Sequence, residues 1–361
     1  MPMEARIVDL SQLFEDSLNW LEDGGPVEHI VFSSRIRLAR NLAGYPFTNR
    51  IRAAEELEVH KKIETVLSTR GYLKDGLFIR LRDLKTRETM LLLERHLISQ
   101  DLVNRGSKAG VVVGDGGRIS LMIGEEDHLR IQSLSGGFQL DKCWQLAERV
   151  ESDLKEAIDF AYHPRFGFLT ACLTNTGTGL RASVLVHLPG LVLTKEIGKV
   201  LKGISQIGLT FRGIYGEGSE VVGNFFQISN QTTLGKSEEE LMDHLEGITR
   251  QVVEYEENAR SILTRDALEQ LEDKIWRAYG ILLYARSIGH EEGMNLLSAI
   301  RLGVSLKLIP DLRVSTLNKL LIFSQSHHLE ASVDRELSQE EQDRVRAEVM
   351  RKLLSSASHA A

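Results

Sequence analysis

One stretch of the sequence combines a cysteine, a glycine-rich turn and an arginine between two β-branched runs. Residues 168–188 contain Cys172, Gly177, Gly179 and Arg181 in this order. A thiol becomes reactive when nearby positive charge or hydrogen-bond donors favour its thiolate, and Arg181 and the exposed amides of a glycine turn could supply both. The alternative is a buried structural cysteine followed by a strand turn. This stretch alone leaves both readings open.

The two glycines also satisfy the dinucleotide-binding pattern G-x-G-x-x-A at residues 177–182. That pattern has to open a helix. Residues 182–189 instead alternate in polarity, are rich in β-branched side chains and stop at a proline, which is typical of a strand. The sequence therefore predicts a loop between two strands here and excludes a dinucleotide fingerprint.

Two arginines are predicted to share one face of the first strand. Residues 29–41 have the pattern of a strand, and because side chains alternate across a strand, Arg35 and Arg37 point the same way. On a solvated edge this pairing would mean little. In a cleft it would form an anion site.

Two glutamates are candidates for a site: Glu126 lies on a predicted strand, and Glu217 lies between glycines in a predicted loop. A single strand is predicted over residues 118–132, with Glu126 and Arg130 projecting from the same face, although an ordinary exposed strand would look similar. Residues 208–229 predict two strands joined by a glycine-rich loop that carries Glu217. This loop is longer than a hairpin requires, which favours contact with a substrate over a plain turn.

Bulk composition predicts an ordinary globular protein of two domains. The chain has 361 residues, of which 42% are hydrophobic and 26% charged, so it can bury a large core. No apolar run reaches the roughly 20 residues of a membrane span, and the start of the sequence lacks a secretory signal, so we expect a cytoplasmic protein without membrane partners. A formal charge of −7 argues against nucleic-acid partners.

Several familiar kinds of site are excluded. The two cysteines have different surroundings, which makes a disulfide framework or a zinc site implausible, and Cys143 has the helical spacing of a packing residue. The sequence contains neither a P-loop nor the H-R-D and D-F-G motifs of protein kinases. We therefore expect no metal bound by protein ligands.

The rest of the chain is predicted to supply helices. Amphipathic spacing predicts three of them, at residues 51–69, 84–99 and 141–161. A capping box at Ser237 predicts the start of a long one. From about residue 261 onward only helical patterns occur, so we predict a mixed domain over residues 1–260 and an all-α domain over residues 261–361.

Four motifs in the same order resemble the phosphagen (guanidino) kinase superfamily. They are residues 33–41 (SSRIRLARN), 125–130 (EEDHLR), 172–183 (CLTNTGTGLRAS), and 212–217 (RGIYGE) with 228–230 (ISN) downstream. The resemblance implies an α+β fold: a phosphagen-kinase-like catalytic domain with a central, mostly antiparallel sheet flanked by helices, followed by the all-α domain. It also implies an enzyme that transfers the γ-phosphoryl group of ATP to a guanidino nitrogen.

The resemblance assigns roles to the residues of these motifs. The side chains that it implies for nucleotide binding are Ser33, Arg35, Arg37, Arg130, Arg181 and Arg212. Planar guanidinium groups suit this task because they pair bidentately with phosphate oxygens and keep their charge. Mg²⁺ would arrive with ATP and be held chiefly by phosphates and water.

On the acceptor side the resemblance implies Glu126, Glu217 and Cys172 as catalytic residues. A guanidinium group has a pKa above 12 and is a poor nucleophile, so its phosphorylation needs alignment and a carboxylate that takes a proton. The cysteine thiolate would help to orient and polarise the attacking nitrogen without becoming phosphorylated. Catalysis would then consist of positioning and charge neutralisation.

The layout resembles the bacterial branch of this superfamily that phosphorylates arginine side chains of proteins. Small-molecule members carry a helical domain ahead of the first motif, whereas here only 32 residues precede it and a helical domain follows. The resemblance implies protein substrates with accessible arginines, marked for a Clp chaperone-protease in the stress response, possible control by an activator protein, and a homodimer. The alternatives are a kinase for free arginine or another small guanidino compound, and a phosphoarginine-binding regulatory protein with an inactive kinase domain.

Two positions depart from the pattern. Leu173 occupies the place where the superfamily usually has proline after the cysteine, which could loosen the loop. Residues 342–347 resemble a phosphoarginine-sensing motif, R-D-x-x-R-A, in which Gln342 replaces the first arginine while Asp343 and Arg346 remain. Gln342 offers no charged fork, so the resemblance implies phosphoarginine sensing only through Asp343 and Arg346.

Overall fold

The computed structural model describes residues 18–22, 24–72, 76–213 and 222–358. In the first part of the chain, antiparallel strands pair on both sides of one strand that carries arginines. The strands in these ranges are β1 (Val31–Arg40), β2 (Leu77–Arg80), β3 (Gly110–Gly114), β4 (Ile119–Ile123), β5 (Leu129–Gly136), β6 (Tyr162–His163), β7 (Gly167–Phe168), β8 (Leu180–His187), β9 (Leu209–Gly213) and β10 (Phe225–Asn230). Eight of them form one antiparallel sheet in the order β2-β3-β4-β5-β1-β8-β10-β9. Strands β6 and β7 form a separate hairpin.

Helices flank this sheet and, joined by loops, form the described chain from residue 238 onward. They are α1 (Asn19–Glu22), α2 (Ala53–Thr69), α3 (Thr86–Glu94), α4 (Gln100–Arg105), α5 (Leu140–Lys155), α6 (Pro189–Leu193), α7 (Ile197–Gln206), α8 (Glu238–Asp266), α9 (Leu268–Tyr284), α10 (His290–Ser305), α11 (Val314–Phe323), α12 (Ser326–Ser332) and α13 (Gln339–Ser358). We call α9 to α13 the helical domain. Among the helices that the structure describes, none combines the length and apolar character needed to cross a membrane.

The two faces of β1 have opposite character because its side chains alternate. Ile36 and Leu38 are fully buried and share a core with Cys143 of α5 and Leu245 of α8. Each buried side chain of this size stabilises the fold by about 1.5–3 kcal/mol. The predicted packing role of Cys143 is confirmed, since the residue is fully buried.

The helical domain covers one end of the other face of the sheet. Buried apolar residues from both parts belong to one core, which includes Phe32, Leu134, Leu185 and Phe225 of the strands with Leu297 and Ile300 of α10. Phe32 reaches this side because the pairing of β1 with β8 shifts register between Val31 and Ser33. The face that carries the arginines is therefore apolar at the covered end and polar at the other.

The predicted continuous strand over residues 118–132 is wrong. Strand β4 ends at Ile123 and β5 begins at Leu129, so Glu126 lies in a loop rather than on a strand face. Gly124 has a φ of +72°, which takes the chain out of the extended conformation. The predicted helix over residues 84–99 is shorter than predicted, because α3 covers only Thr86–Glu94 and the next helix, α4, begins at Gln100.

Other predictions of local structure are confirmed. The first strand, the two strands on either side of residues 214–221, and the long helix that begins at the Ser237 capping box are all present. Glu217 itself lies outside the described residues. Helix α8 continues past residue 260, and the division of the chain near that residue stays a prediction.

A carboxylate joins the helical domain to the sheet-containing part of the chain. Glu94, the last residue of α3, accepts hydrogen bonds from the backbone amides of His327 (3.1 Å) and His328 (3.2 Å) in α12. The Nδ1 atoms of the same two rings lie 2.7 and 2.8 Å from its oxygens. Burial opposes ionisation of Glu94, but these hydrogen bonds prevail and lower its pKa to about 2.

We expect Glu94→Gln to weaken this junction in a pH-dependent way. A carboxyl group whose folded-state pKa is below its unfolded value of 4.5 stabilises the fold above pH 4.5, and this contribution is lost as the pH falls towards 2. The variant should lose up to about 3 kcal/mol of unfolding free energy at pH 7, and its difference from the wild type should shrink between pH 4.5 and 2. Urea unfolding across this pH range measures both. Glu254→Gln, at an exposed position on α8, is the control that should change little.

Candidate active site

Strand register brings the predicted nucleotide-binding arginines to one face of the sheet. Arg37 of β1 lies opposite Gln132 of β5 on one side and opposite Arg181 of β8 on the other. Arg35 lies opposite Ser183. Since directly opposed residues of antiparallel strands point to the same face, these side chains project together.

The remaining members of the predicted set share that face by the same rule. Arg130 is opposite Ala39, two residues along β1 from Arg37. Arg212, on the edge strand β9, is opposite Gln227 of β10. Ser33 alternates in phase with Arg35 and is buried. The predicted roles of these residues stay predictions, but their placement on one surface is a property of the structure.

The arginines of this face raise one another's electrostatic energy. Burial, followed by repulsion from Arg181 and Arg130, lowers the pKa of Arg35 to about 10. Burial and the same kind of repulsion, chiefly from Arg35, hold the pKa of Arg37 well below its usual value. Arg35 donates to Gln227 Oε1 (2.7 Å) and Ser183 Oγ (3.4 Å), both neutral partners.

Arg37 has a hydrogen-bond donor that an anion would satisfy. Its Nε–H group is buried and donates a hydrogen bond to no residue that the structure describes. An unpaired buried donor is costly, and a bound phosphate would satisfy it while relieving the repulsion among the arginines. The residues present therefore fit a polyphosphate.

The loop between β4 and β5 places carboxylates beside this cationic face. Arg130 donates to Glu125 Oε1 (2.6 Å) and to Glu126 Oε2 (3.2 Å). Glu125 is fully buried and also accepts from Ser99, whereas the Glu126 side chain is 37% exposed. Glu126 is thus accessible from solvent while it stays in contact with Arg130 of the arginine-bearing face.

The cysteine loop reaches the same carboxylate. Cys172 precedes a single helical turn, Leu173–Asn175, that is closed by a hydrogen bond from Asn175 N to Cys172 O (3.0 Å). Asn175 Nδ2 donates to Glu126 Oε2 (3.1 Å), so the loop and Glu126 are in direct contact. The Cys172 Sγ atom is partly exposed and hydrogen-bonded with Thr174 Oγ1 at 3.0 Å.

A buried carboxylate that the sequence reasoning overlooked joins the two loops. Asp127 Oδ1 accepts from Asn41 Nδ2 (2.6 Å) and from the backbone amide of Ala171 (2.7 Å). Burial raises the pKa of Asp127, and these two hydrogen bonds oppose that rise. Asp127 lies next to Glu126 and Ala171 next to Cys172, so this interaction sets the separation of the two predicted catalytic side chains. Asn41 and Asp127 were within the quoted motifs, but only their contacts reveal the role.

Glycine is required at position 177 for the loop to pack. Gly177 has a φ of +121°, and a Cβ atom there would lie 2.1 Å from the carbonyl oxygen of Thr233. Thr233 in turn donates to the carbonyl oxygens of Thr174 (2.9 Å) and Thr176 (2.7 Å). The glycines of the motif thus serve the close approach of two backbone segments, and the predicted loop between two strands is confirmed.

The C-terminal motif lies inside the helical domain. Arg346 is buried and donates to the carbonyl oxygens of Ser324 (3.0 Å) and Ile288 (2.9 Å) and to Asp343 Oδ1 (2.7 Å). Gln342 makes longer contacts, at 3.5 Å to Glu330 Oε1. In this arrangement Asp343 and Arg346 hold helices together, and their predicted sensing role stays a prediction.

Comparisons with known proteins agree with this geometry. Residues 58–259 match the family "ATP:guanido phosphotransferase, C-terminal catalytic domain", and residues 268–361 match "Protein-arginine kinase McsB C-terminal domain". Among solved structures, lombricine kinase superimposes with a TM-score of 0.57 at 27% identity, covering 65% of this chain and 68% of that one. A duplicated taurocyamine kinase from Schistosoma mansoni (TM-score 0.57, 23% identity, 75% of this chain and 39% of that one) supports the fold alone.

Similar sequences extend over almost the whole chain. The protein-arginine kinase of Desulforamulus reducens is 44% identical over 344 residues, which are 94% of this chain and 96% of the relative. That of Halothermothrix orenii is 43% identical over 349 residues, 96% and 100% of the two chains. Both relatives therefore include the helical domain.

Fold, site and similarity together define the class of the protein. It is a guanidino phosphotransferase with the phosphagen-kinase fold, as the motifs predicted. Within that class the chain belongs to the protein-arginine kinase family, because its similarity to members of that family covers both the catalytic part and the helical domain.

We expect Gly177→Ala to disrupt the cysteine loop. An added Cβ atom meets the Thr233 carbonyl, and the positive φ disfavours any L side chain, so the variant should lose about 2 kcal/mol or more of stability and most of its activity. Gly247→Ala is the matched control, because Gly247 lies on the exposed side of α8 and, apart from the backbone of its own helix, no atom of the described residues lies within 4 Å of the added Cβ. That variant should gain about 0.5–1 kcal/mol. Equal thermal unfolding midpoints for the two variants would contradict the assignment.

Proposed function

We propose that this protein transfers the γ-phosphoryl group of ATP to arginine side chains of other proteins. The single observation that carries the proposal is the contact of Arg130 with Glu126, which joins a polyphosphate-binding face to an accessible carboxylate. A guanidino kinase needs these two sites in contact, because the phosphorus atom has to pass from one to the other. The names of the full-length relatives support the choice of arginine in proteins as the acceptor.

The cationic face would hold the phosphate chain of the nucleotide. Arg35, Arg37 and Arg181 are already held in place by the sheet, so little reorganisation accompanies binding. Negative charge from the phosphates would replace the mutual repulsion with charge-assisted hydrogen bonds. Mg²⁺, when bound with the nucleotide, would neutralise further phosphate charge and be held chiefly by phosphate oxygens.

On the acceptor side, Glu126 would bind and deprotonate the incoming guanidinium group. The new bond joins a guanidino nitrogen to the γ-phosphorus, the bond from that phosphorus to the bridging oxygen of ADP breaks, and the nitrogen gives its proton to the carboxylate. Asn175 fixes the orientation of the Glu126 carboxylate. Cys172, on the same loop, would lie beside the attacking nitrogen, and Glu217, which is outside the described residues, is the proposed second carboxylate.

Substitution of the proposed base separates chemistry from folding. We expect Glu126→Gln to lower kcat by about 10²–10⁴-fold, because the amide keeps the shape of the side chain but cannot take the proton. The measurement is the formation of acid-labile phosphate on arginine after incubation with magnesium ATP and an arginine-rich unfolded protein. Glu148→Gln, on the exposed side of α5, is the control that should retain full activity.

The same assay distinguishes the alternatives for the acceptor. If free arginine is phosphorylated at least as well as the protein, the enzyme is a small-molecule guanidino kinase. If neither acceptor is phosphorylated by the wild type, the proposal is wrong.

We further propose the cellular role implied by the resemblance. Phosphorylated proteins would be marked for a Clp-type chaperone-protease during stress, with the enzyme acting as a cytoplasmic homodimer under the control of an activator protein. The similarity of the full chain to protein-arginine kinases, helical domain included, supports this role.

A further inference from the structure

Helix α10 of the helical domain contacts the ends of β8 and β10 through a buried polar cluster. The Ser298 hydroxyl is hydrogen-bonded with His187 Nε2 (2.8 Å) and accepts from Asn224 Nδ2 (2.8 Å). Ser298 is 1% exposed and His187 is fully buried. Buried polar groups are costly unless they are paired, so this cluster defines one position of α10 relative to the two strands.

The backbone that enters β10 is held by the same helix. Asn295 Oδ1 accepts a hydrogen bond from Gly223 N at 3.2 Å. Gly223 has a φ of +66°, and a Cβ atom there would approach the carbonyl oxygen of Met294 to 3.0 Å. The strand therefore begins directly against α10.

The cluster at His187 lies next to Gln227, the hydrogen-bond partner of Arg35, along one face of the sheet. His187 is paired with Phe225, and the next pair on the same face of the sheet is Leu185 with Gln227. Successive pairs on one face are about 7 Å apart. Gln227 Oε1 accepts the 2.7 Å hydrogen bond from Arg35 Nη2.

The same helix also touches the beginning of the strand that carries Arg35. The guanidinium carbon of Arg301 lies 5.6 Å from the ring centre of Phe32 and 5.9 Å from that of Phe225. Its Nη2 atom donates to the carbonyl oxygen of Glu28 at 2.6 Å. Helix α10 thus bridges β1 and β10, the two strands that carry the Arg35–Gln227 pair.

We propose that Ser298 and Asn295 are positioning residues for nucleotide binding: through β10 and Gln227, the helical domain sets the position of Arg35. The inference rests on the proposed function in that Arg35 is taken to bind the phosphates of ATP. It gives the helical domain a role in the catalytic site itself. A merely structural role for the two residues would lower stability and leave the affinity for ATP unchanged.

The first test uses Ser298→Ala in the full chain. We expect the Kd of magnesium ATP, measured by isothermal titration calorimetry, and the KM for ATP to rise about three- to tenfold, since one buried hydrogen-bond centre is lost. The KM for the protein acceptor and kcat at saturating ATP should stay within about twofold of wild type. Thr249→Val is the matched control, because it removes a buried hydroxyl of α8 whose one hydrogen bond to a described residue goes to the Leu245 carbonyl of its own helix (2.8 Å).

The second test uses Asn295, an exposed residue whose substitution should not affect folding. Asn295 is exposed, so Asn295→Ala should fold normally and still raise the Kd for ATP by about two- to threefold. Asn295→Asp keeps the oxygen that accepts from Gly223 N and should restore the wild-type value. Rescue by the aspartate distinguishes positioning from general loss of packing.

The outcomes separate this inference from the proposed function. Wild-type ATP affinity in both Ser298→Ala and Asn295→Ala, with Ser298→Ala losing stability as Thr249→Val does, overturns the positioning role. If the wild type binds ATP but phosphorylates no arginine, only the proposed function fails, because the Kd comparison still holds. If the wild type does not bind ATP, both are wrong.

Discussion

Repulsion between arginines on one face of an antiparallel sheet is the constraint on which the rest of the structure depends. Strand pairing holds Arg35, Arg37 and Arg181 side by side. Burial of the apolar side chains on the opposite face of the sheet stabilises this pairing. Such a surface costs electrostatic energy until an anion binds. Under the proposed function, this electrostatic cost favours binding of a polyphosphate, because strand pairing holds the arginines together before any ligand arrives.

The acceptor side is built by short polar contacts rather than by strand pairing. Glu126 and Cys172 lie on different loops, and the adjacent residue Asp127 ties these loops together through Asn41 and the amide of Ala171. A loop gains a definite shape only where its backbone groups are satisfied in this way. The separation of the two proposed catalytic groups thus depends on one buried carboxylate, while the helical domain contacts the strands that bear the arginines.

Some of this could be predicted from local pattern and some could not. Alternation correctly placed Arg35 and Arg37 on one face, because the period of a strand is independent of its partners. The same rule failed for Glu126, because Gly124 breaks the strand before it and local alternation cannot detect that break. The contacts of Ser298 and Asp127 were inaccessible to sequence reasoning, since their partners are distant in the chain and nothing in local spacing reveals them.

The sequence by itself determined the family and the identity of the charged groups, because the four motifs specify the residue types: guanidinium groups, which pair with phosphate, carboxylates, which pair with a guanidinium, and a thiol. Tertiary structure alone decided that five arginines share one face, that Glu126 contacts both Arg130 and the cysteine loop, and that the helical domain packs on the same face of the sheet. The physical reason is that hydrophobic burial and strand register set the distances between the functional groups, and both depend on contacts over the whole chain. The local sequence sets only which chemical group stands at each position.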